Sequence, residues 1–202
     1  MSTPFNTYFT LLFTFALLLL PSCSSLPIPS SLSKLADLYL PLNDKINLVS
    51  RTPPPTRASI LRDHILPSTA LLPLIPAAAE RMIDVGTGGG FPGLPLALCA
   101  SDKEVVLLDS RGKKLEALKS SLFDELGVSN VETVHSRSED YVGAFDVVLG
   151  RGVASLPKFA SWVEHLMKPD AVMIYIRGGD WGEDTRVEPD EVREIKELME
   201  VV

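Results

Sequence analysis

Residues 84–93 read Asp-Val-Gly-Thr-Gly-Gly-Gly-Phe-Pro-Gly, a carboxylate followed by five glycines in the next nine positions. Glycines at this density let a backbone close tightly on a ligand. The acid narrows which ligand. A dinucleotide would set its pyrophosphate at this turn, and a carboxylate there would repel it. S-adenosylmethionine carries a sulfonium and an amino group, both cationic, and Asp84 is placed to attract that end. Gly88, Gly90 and Gly93 also satisfy G-x-G-x-x-G, but in the strand-end register that starts with Gly86 and Gly88 the third position is Phe91.

Further polar residues recur where apolar runs end. Asp109 closes "EVVLLD", 25 residues after Asp84, a spacing that suits a carboxylate accepting bonds from ribose hydroxyls. Such an acid serves NAD equally well, so it supports a nucleoside without choosing the cofactor. "HSRSED" sets Arg137, Ser138, Glu139 and Asp140 after the next run, where an adenine amino group could be met. Arg151 follows "FDVVLG" and stands between Gly150 and Gly152, small neighbours that leave room for a substrate. The segment "GRGVAS" lacks the Asn/Asp-Pro-Pro-aromatic sequence associated with methylating an exocyclic base nitrogen. Methylating a base carbon often requires a cysteine nucleophile, and none stands near this edge except Cys99. Guanine N7 needs neither, because its exposed lone pair requires alignment rather than proton removal. His64, His135 and His165 are scattered and read as structural; no Cys/His spacing suggests a metal.

These residues need a scaffold that brings strand ends together. Strands are predicted at Arg81–Val85, Glu104–Leu108, Val131–His135, Phe145–Leu149 and Val172–Ile176. Helices are predicted at Leu94–Ala100, Lys113–Leu126, Leu156–Met167 and Asp190–Met199. Such alternation predicts an α/β fold, a parallel sheet covered on both faces, with every strand's C-terminal end on one edge. Cys99 falls in an apolar helical pattern and reads as a core residue. Ahead of the sheet, 34–79 predicts a small helical cap, broken at Pro41 and near Pro67.

The chain has 202 residues and a net charge of -7, which argues against a strongly basic nucleic-acid binder. Eight acids against three bases in 181–202 account for most of that charge, and Lys34, Lys45, Arg51, Arg57 and Arg62 give the cap a basic lean. Residues 1–33 contain no charged side chain, and their apolar and Ser/Pro-rich runs read as a disordered targeting leader. The methyltransferase domain is assigned to 80–202.

"MIDVGTGGGFPGLPLAL", "LLDSRGKK", "HSRSED" and "RGVASLPKF", in that order, resemble the RsmG (GidB) family of small-subunit ribosomal RNA guanine-N7 methyltransferases. "KINLVS" and "RDHILPS" resemble its leading elements, with Pro67 where the family has Asp. The resemblance covers about residues 45–179. It implies a Rossmann-like class I S-adenosylmethionine-dependent methyltransferase sheet. It further implies cofactor contacts from Gly86, Phe91, Ser138, Glu139 and Arg151, with Asp84, Gly88 and Asp109 in the roles argued above. Arg151 is the candidate catalytic residue, and Lys113 and Lys114 are a basic pair facing RNA. The implied partner is small-subunit ribosomal RNA or a pre-assembled subunit, with the mature enzyme a monomer without stable membrane association. A ribosomal substrate and a leader together point to a plastid, with the mitochondrion or the cytoplasm as the alternatives. Two further strands usual in this class are expected to be missing, which would leave the fifth strand as an open edge. An NAD(P)-dependent oxidoreductase and a non-catalytic RNA-binding homologue are the alternatives.

Overall fold

The computed structural model describes residues 8–13, 28–178 and 192–194. Among them seven strands form one sheet: β1 Tyr8–Phe13, β2 Arg81–Val85, β3 Glu104–Asp109, β4 Val131–His135, β5 Phe145–Arg151, β6 Met167–Gly178 and β7 Val192–Glu194. All pairings are parallel, in the order β4-β3-β2-β5-β6-β1-β7. From β2 the chain winds outward through β3 to β4, then returns to the other side of β2 to place β5. The crevice between the ends of β2 and β5 is therefore the topological switch point, where open α/β sheets bind ligands.

Strand residues alternate between the two faces, as the pleat requires. Met82, Val105, Leu107, Val147, Leu149, Ile174 and Ile176 pack with the cap and with the helices after β2 and β3. Ile83, Val106, Leu108, Val148, Met173 and Tyr175 face the other way, against Leu156, Phe159 and Val163 of the Leu156–Val163 helix. Cap and sheet share one core: Leu35, Tyr39, Ile60, Ile65 and Leu71 belong to the same cluster as the first set.

The five predicted strands all form. β5 runs on to Arg151, and β6 starts at Met167, a residue assigned above to a helix. The Leu156–Val163 helix tightens into a 3-10 turn at Glu164–Leu166, and the Lys168 ammonium bonds Asp146 at 2.7 Å, so the chain has already joined the sheet there. Neither cap proline breaks its helix. Ser30–Lys45 continues through Pro41, which lies on the exposed face with Asp37, where a carbonyl that loses its helical donor is tolerated because it can be solvated. Around Pro67 the helical stretch 57–69 widens into a π turn at Leu61–Ile65. Cys99 is exposed at the end of the seven-residue Gly93–Cys99 helix, not in the core. Of the segment predicted as a helix at Asp190–Met199, Val192–Glu194 is strand β7, and the rest lies outside the described residues.

The far side of β6 is not an open edge. The backbone of Tyr8–Phe13, within the segment read as a leader, pairs with Met173–Gly178, and β7 pairs with β1 in turn. Unpaired N–H and C=O groups along β6 would favour such an addition, and "YFTLLF" has the composition of a strand.

Candidate active site at the switch point

Asp84 is the next-to-last residue of β2, just before the glycine turn, and is fully enclosed. Its Oδ2 accepts from the Thr87 hydroxyl at 2.7 Å and from the Gly93 N–H at 2.8 Å. The second bond occupies a donor at the start of the Gly93–Cys99 helix, the kind of group that would otherwise hold a phosphate. Its Oδ1 is buried with no partner among the described residues. Burial pushes the Asp84 carboxyl up to about 6, against the lowering effect of the Thr87 and Gly93 bonds. At neutral pH it therefore remains mostly ionised, with one oxygen seeking a cation or donor.

Asp109 ends β3 and holds the outer limb of the turn. Its Oδ2 accepts from the Gly88 N–H and its Oδ1 from the Arg111 N–H, both at 2.8 Å. Gly88 reaches the carboxylate with φ +54, a left-handed conformation that a side chain would strain. The Arg111 bond gives Asp109 a local turn role as well, and each oxygen retains a lone pair for a ribose hydroxyl.

Gly86, Ser138 and Glu139 line one cleft of about 160 Å³ with Val85, Leu108 and Trp162. The 3-10 turn Ser138–Asp140 supplies the polar wall, where the Ser138 hydroxyl donates to Glu139 at 2.9 Å. A backbone N–H, first, and then that bond hold the Glu139 carboxyl below its ordinary range. Apolar walls and one polar rim suit a nucleobase. Phe91 does not face this cleft. Its buried ring turns to the cap, 5.0 Å from Tyr39 and 5.1 Å from His64 between centroids.

Arg151 leaves the end of β5 and donates from Nη2 to the Asp63 carbonyl at 2.8 Å. Burial lowers its basicity, and Asp84 and Asp63 oppose that. Its glycine neighbours do not leave space on both sides. A Cβ on Gly150 would lie 2.4 Å from the Phe159 ring, so that room is already filled. Gly152 has open space and φ +59. Tyr175 on β6 fixes the loop that follows: its hydroxyl accepts from the Val153 and Ala154 N–H groups, both at 3.0 Å.

The lysine pair divides. Lys113 is exposed and, with Lys45 and His135, lines a groove of about 630 Å³ between the cap and the helix after β3. Lys114 is half-buried and donates to the Leu48 carbonyl at 3.3 Å, tying that helix to the cap. Tyr39, Thr87 and Tyr175 were not singled out in the sequence. Only Thr87, three residues after Asp84, carried a local signal.

A family model described as GidB, rRNA small subunit methyltransferase G, matches residues 29–200. A ribosomal RNA small subunit methyltransferase G of Chlorobium limicola is 38% identical over 146 residues, covering 71% of this chain and 64% of the relative. The protein of the same name from Psychromonas ingrahamii is 42% identical over 149 residues, covering 73% and 69%. The chain thus spans about two thirds of the length of these relatives. Among solved structures, an S-adenosylhomocysteine-bound methyltransferase from Podospora anserina superposes with TM-score 0.52 at 18% identity, over 74% of this chain and 63% of that one. A SAM-dependent methyltransferase from Aquifex aeolicus gives TM-score 0.50 at 20% identity, over 71% and 81%. Those two likenesses establish the class I methyltransferase fold. With the family model spanning 172 residues, from the cap through the sheet, the chain belongs to the GidB family, rRNA small subunit methyltransferase G.

Proposed function

We propose that the chain transfers a methyl group from S-adenosylmethionine to N7 of a guanine in small-subunit ribosomal RNA. The observation that carries the cofactor is Asp84. One of its oxygens already engages the start of the Gly93–Cys99 helix, and the other is enclosed without a partner. This arrangement disfavours a pyrophosphate and fits a cation. S-adenosylmethionine, when bound, supplies a methyl group carried on a cationic sulfur. Asp84 then holds the methionine end, Asp109 is placed for the ribose, and the Gly86–Ser138–Glu139 cleft for the adenine. Arg151 stands at the end of β5, on the far side of the switch point from Asp109, where a substrate base would meet the methyl group.

The names of the relatives support ribosomal RNA as the substrate. Guanine N7 fits the protein side. Its attack requires no base, and "GRGVAS" across the end of β5 offers none. Exposed Lys113 and Lys45 offer phosphate contacts beside the site. A plastid is the proposed place of work, from the charge-free leader and a substrate found only where ribosomes are. Among the described residues no helix is long and apolar enough to cross a membrane.

Calorimetric titration with S-adenosylmethionine, S-adenosylhomocysteine and NAD tests the cofactor reading. The first two should bind and NAD should not. Asp84→Ala should weaken S-adenosylmethionine more than S-adenosylhomocysteine, which lacks the sulfonium charge. Saturable NAD binding would overturn the reading in favour of a dehydrogenase.

A further inference from the structure

His64 follows Asp63, whose carbonyl holds Arg151, and the cofactor reading leaves it unused. The turn that carries it is fastened over the end of β5. Pro67 has no N–H to offer the Asp63 carbonyl four residues earlier, and that carbonyl accepts from Arg151 instead. The next residue, His64, stacks its ring on Phe91 of the glycine turn, 5.1 Å between centroids and 22° between planes. Three separate parts of the chain thus converge there: the cap, the glycine turn and the end of β5.

The other two histidines behave as structural ones. His135 Nε2 pairs with the Ser110 carbonyl at 3.1 Å, and His165 Nε2 with the Tyr141 carbonyl at 3.0 Å. Neither ring nitrogen of His64 pairs with a described residue, although the side chain is half-buried. Burial and the Arg151 charge push its basicity down to about 4. The ring is therefore neutral at working pH, and one nitrogen keeps a free lone pair.

We propose that His64 reads the substrate guanine, its unprotonated ring nitrogen accepting from the N1–H on the Watson–Crick edge while Phe91 holds the imidazole in place. This rests on the methyltransferase reading above. N7 alone cannot select guanine, since adenine also has one. At N1 the two bases differ: guanine donates a hydrogen bond and adenine accepts one. The alternative of an arginine paired to O6 and N7 would occupy the very lone pair that must attack. Reading the opposite edge leaves N7 free, and single-stranded bases in RNA are commonly read on that edge.

The contact also favours the reaction. N7 attacks the methyl carbon: the N7–C bond forms as the C–S bond breaks, the electron pair of that bond stays on sulfur to give the neutral thioether S-adenosylhomocysteine, no proton moves, and the positive charge passes to the purine. N1–H then becomes a stronger donor, so its bond to a neutral imidazole tightens as charge develops. A protonated imidazole in the same place would have no lone pair left to accept from N1–H.

The test uses the full chain, with His64→Phe to keep the stack and remove the acceptor, and His64→Gln to return an acceptor as an amide oxygen. Calorimetry reads S-adenosylmethionine affinity. Single-turnover methylation of small-subunit ribosomal RNA reads the rate at saturating RNA and the RNA concentration giving half of it. Both variants should bind the cofactor like the wild type. His64→Phe should slow the saturating rate about tenfold with half-saturation little changed, and His64→Gln should recover most of the loss. The proposal is overturned if His64→Phe methylates at the wild-type rate, if it loses cofactor affinity in parallel, or if Gln does no better than Phe. A wild type that binds the cofactor yet methylates no guanine would sink the methyltransferase reading itself, and that result is read without any variant.

Discussion

Asp84→Asn keeps the shape of the buried side chain and removes its charge. The carboxyl lies at about 6 in the fold against an ordinary 3.8. That difference corresponds to about 3 kcal/mol favouring the protonated form in the folded state. Since the folded value is raised, the contribution is complete below about pH 4 and is lost as pH rises through 6. The ligand-free protein at pH 8 therefore carries an ionised, half-satisfied carboxylate without that stabilisation. His64 works in the opposite sense. Its folded value is lowered to about 4 from 6.5, so its contribution is present above 6.5 and is lost as pH falls toward 4. The two flatten the overall profile, and only the difference between wild type and Asp84→Asn isolates the carboxylate. The Asn oxygen preserves the Thr87 and Gly93 bonds. Its amide group replaces the unpartnered oxygen at a cost of about 1–2 kcal/mol that does not vary with pH. Urea unfolding at pH 5 and pH 8 measures this difference. Between those values the variant should gain about 1–2 kcal/mol relative to wild type. A difference that stays constant with pH would refute the reasoning, as would a variant that gains toward acid.

Other consequences are sharp enough to check. A Cβ on Gly89 would sit 2.2 Å from the Tyr39 hydroxyl, whose bond to the Gly89 carbonyl is 2.8 Å. Gly89→Ala should therefore cost about 2–4 kcal/mol in denaturant unfolding, and less in a Tyr39→Phe background, where the clashing oxygen is gone. Arg151→Gln should loosen the cap turn, read as faster amide exchange over 61–65, and should slow methylation. Lys113→Ala should weaken RNA binding and lower its salt dependence by about one phosphate contact, leaving cofactor affinity unchanged. A fluorescent protein carrying residues 1–33 at its N-terminus should accumulate in plastids when expressed in plant cells; retention in the cytosol or secretion would contradict the localisation.

The strand-end residues were legible because the alternation of elements fixes one edge of the sheet, whatever the packing. Asp84, Asp109, Ser138, Glu139 and Arg151 all lie in the last two residues of a strand or in the turn after it. What those residues bond to was less legible. That Asp109 would pin Gly88, or that Phe159 would fill the space over Gly150, depends on contacts between distant parts of the chain. Prolines misled for a related reason. Propensity marks Pro41 and Pro67 as breaks, but buried neighbours such as Leu35, Tyr39, Leu42 and Ile65 hold both helices together. The Tyr39–Phe91–His64 cluster left no local trace, because it joins three segments that only the packed cap brings together.

The most direct test of the central claim is transfer of a labelled methyl group from S-adenosylmethionine to small-subunit ribosomal RNA by the full chain, followed by borohydride reduction and aniline cleavage, which cut RNA at N7-methylated guanine. The account predicts label in the RNA and a discrete cleavage at a guanine, absent without enzyme and strongly reduced with Asp84→Ala. Label that resists cleavage would place the methyl group on another atom, and a folded, cofactor-bound protein that labels no RNA would contradict the assignment.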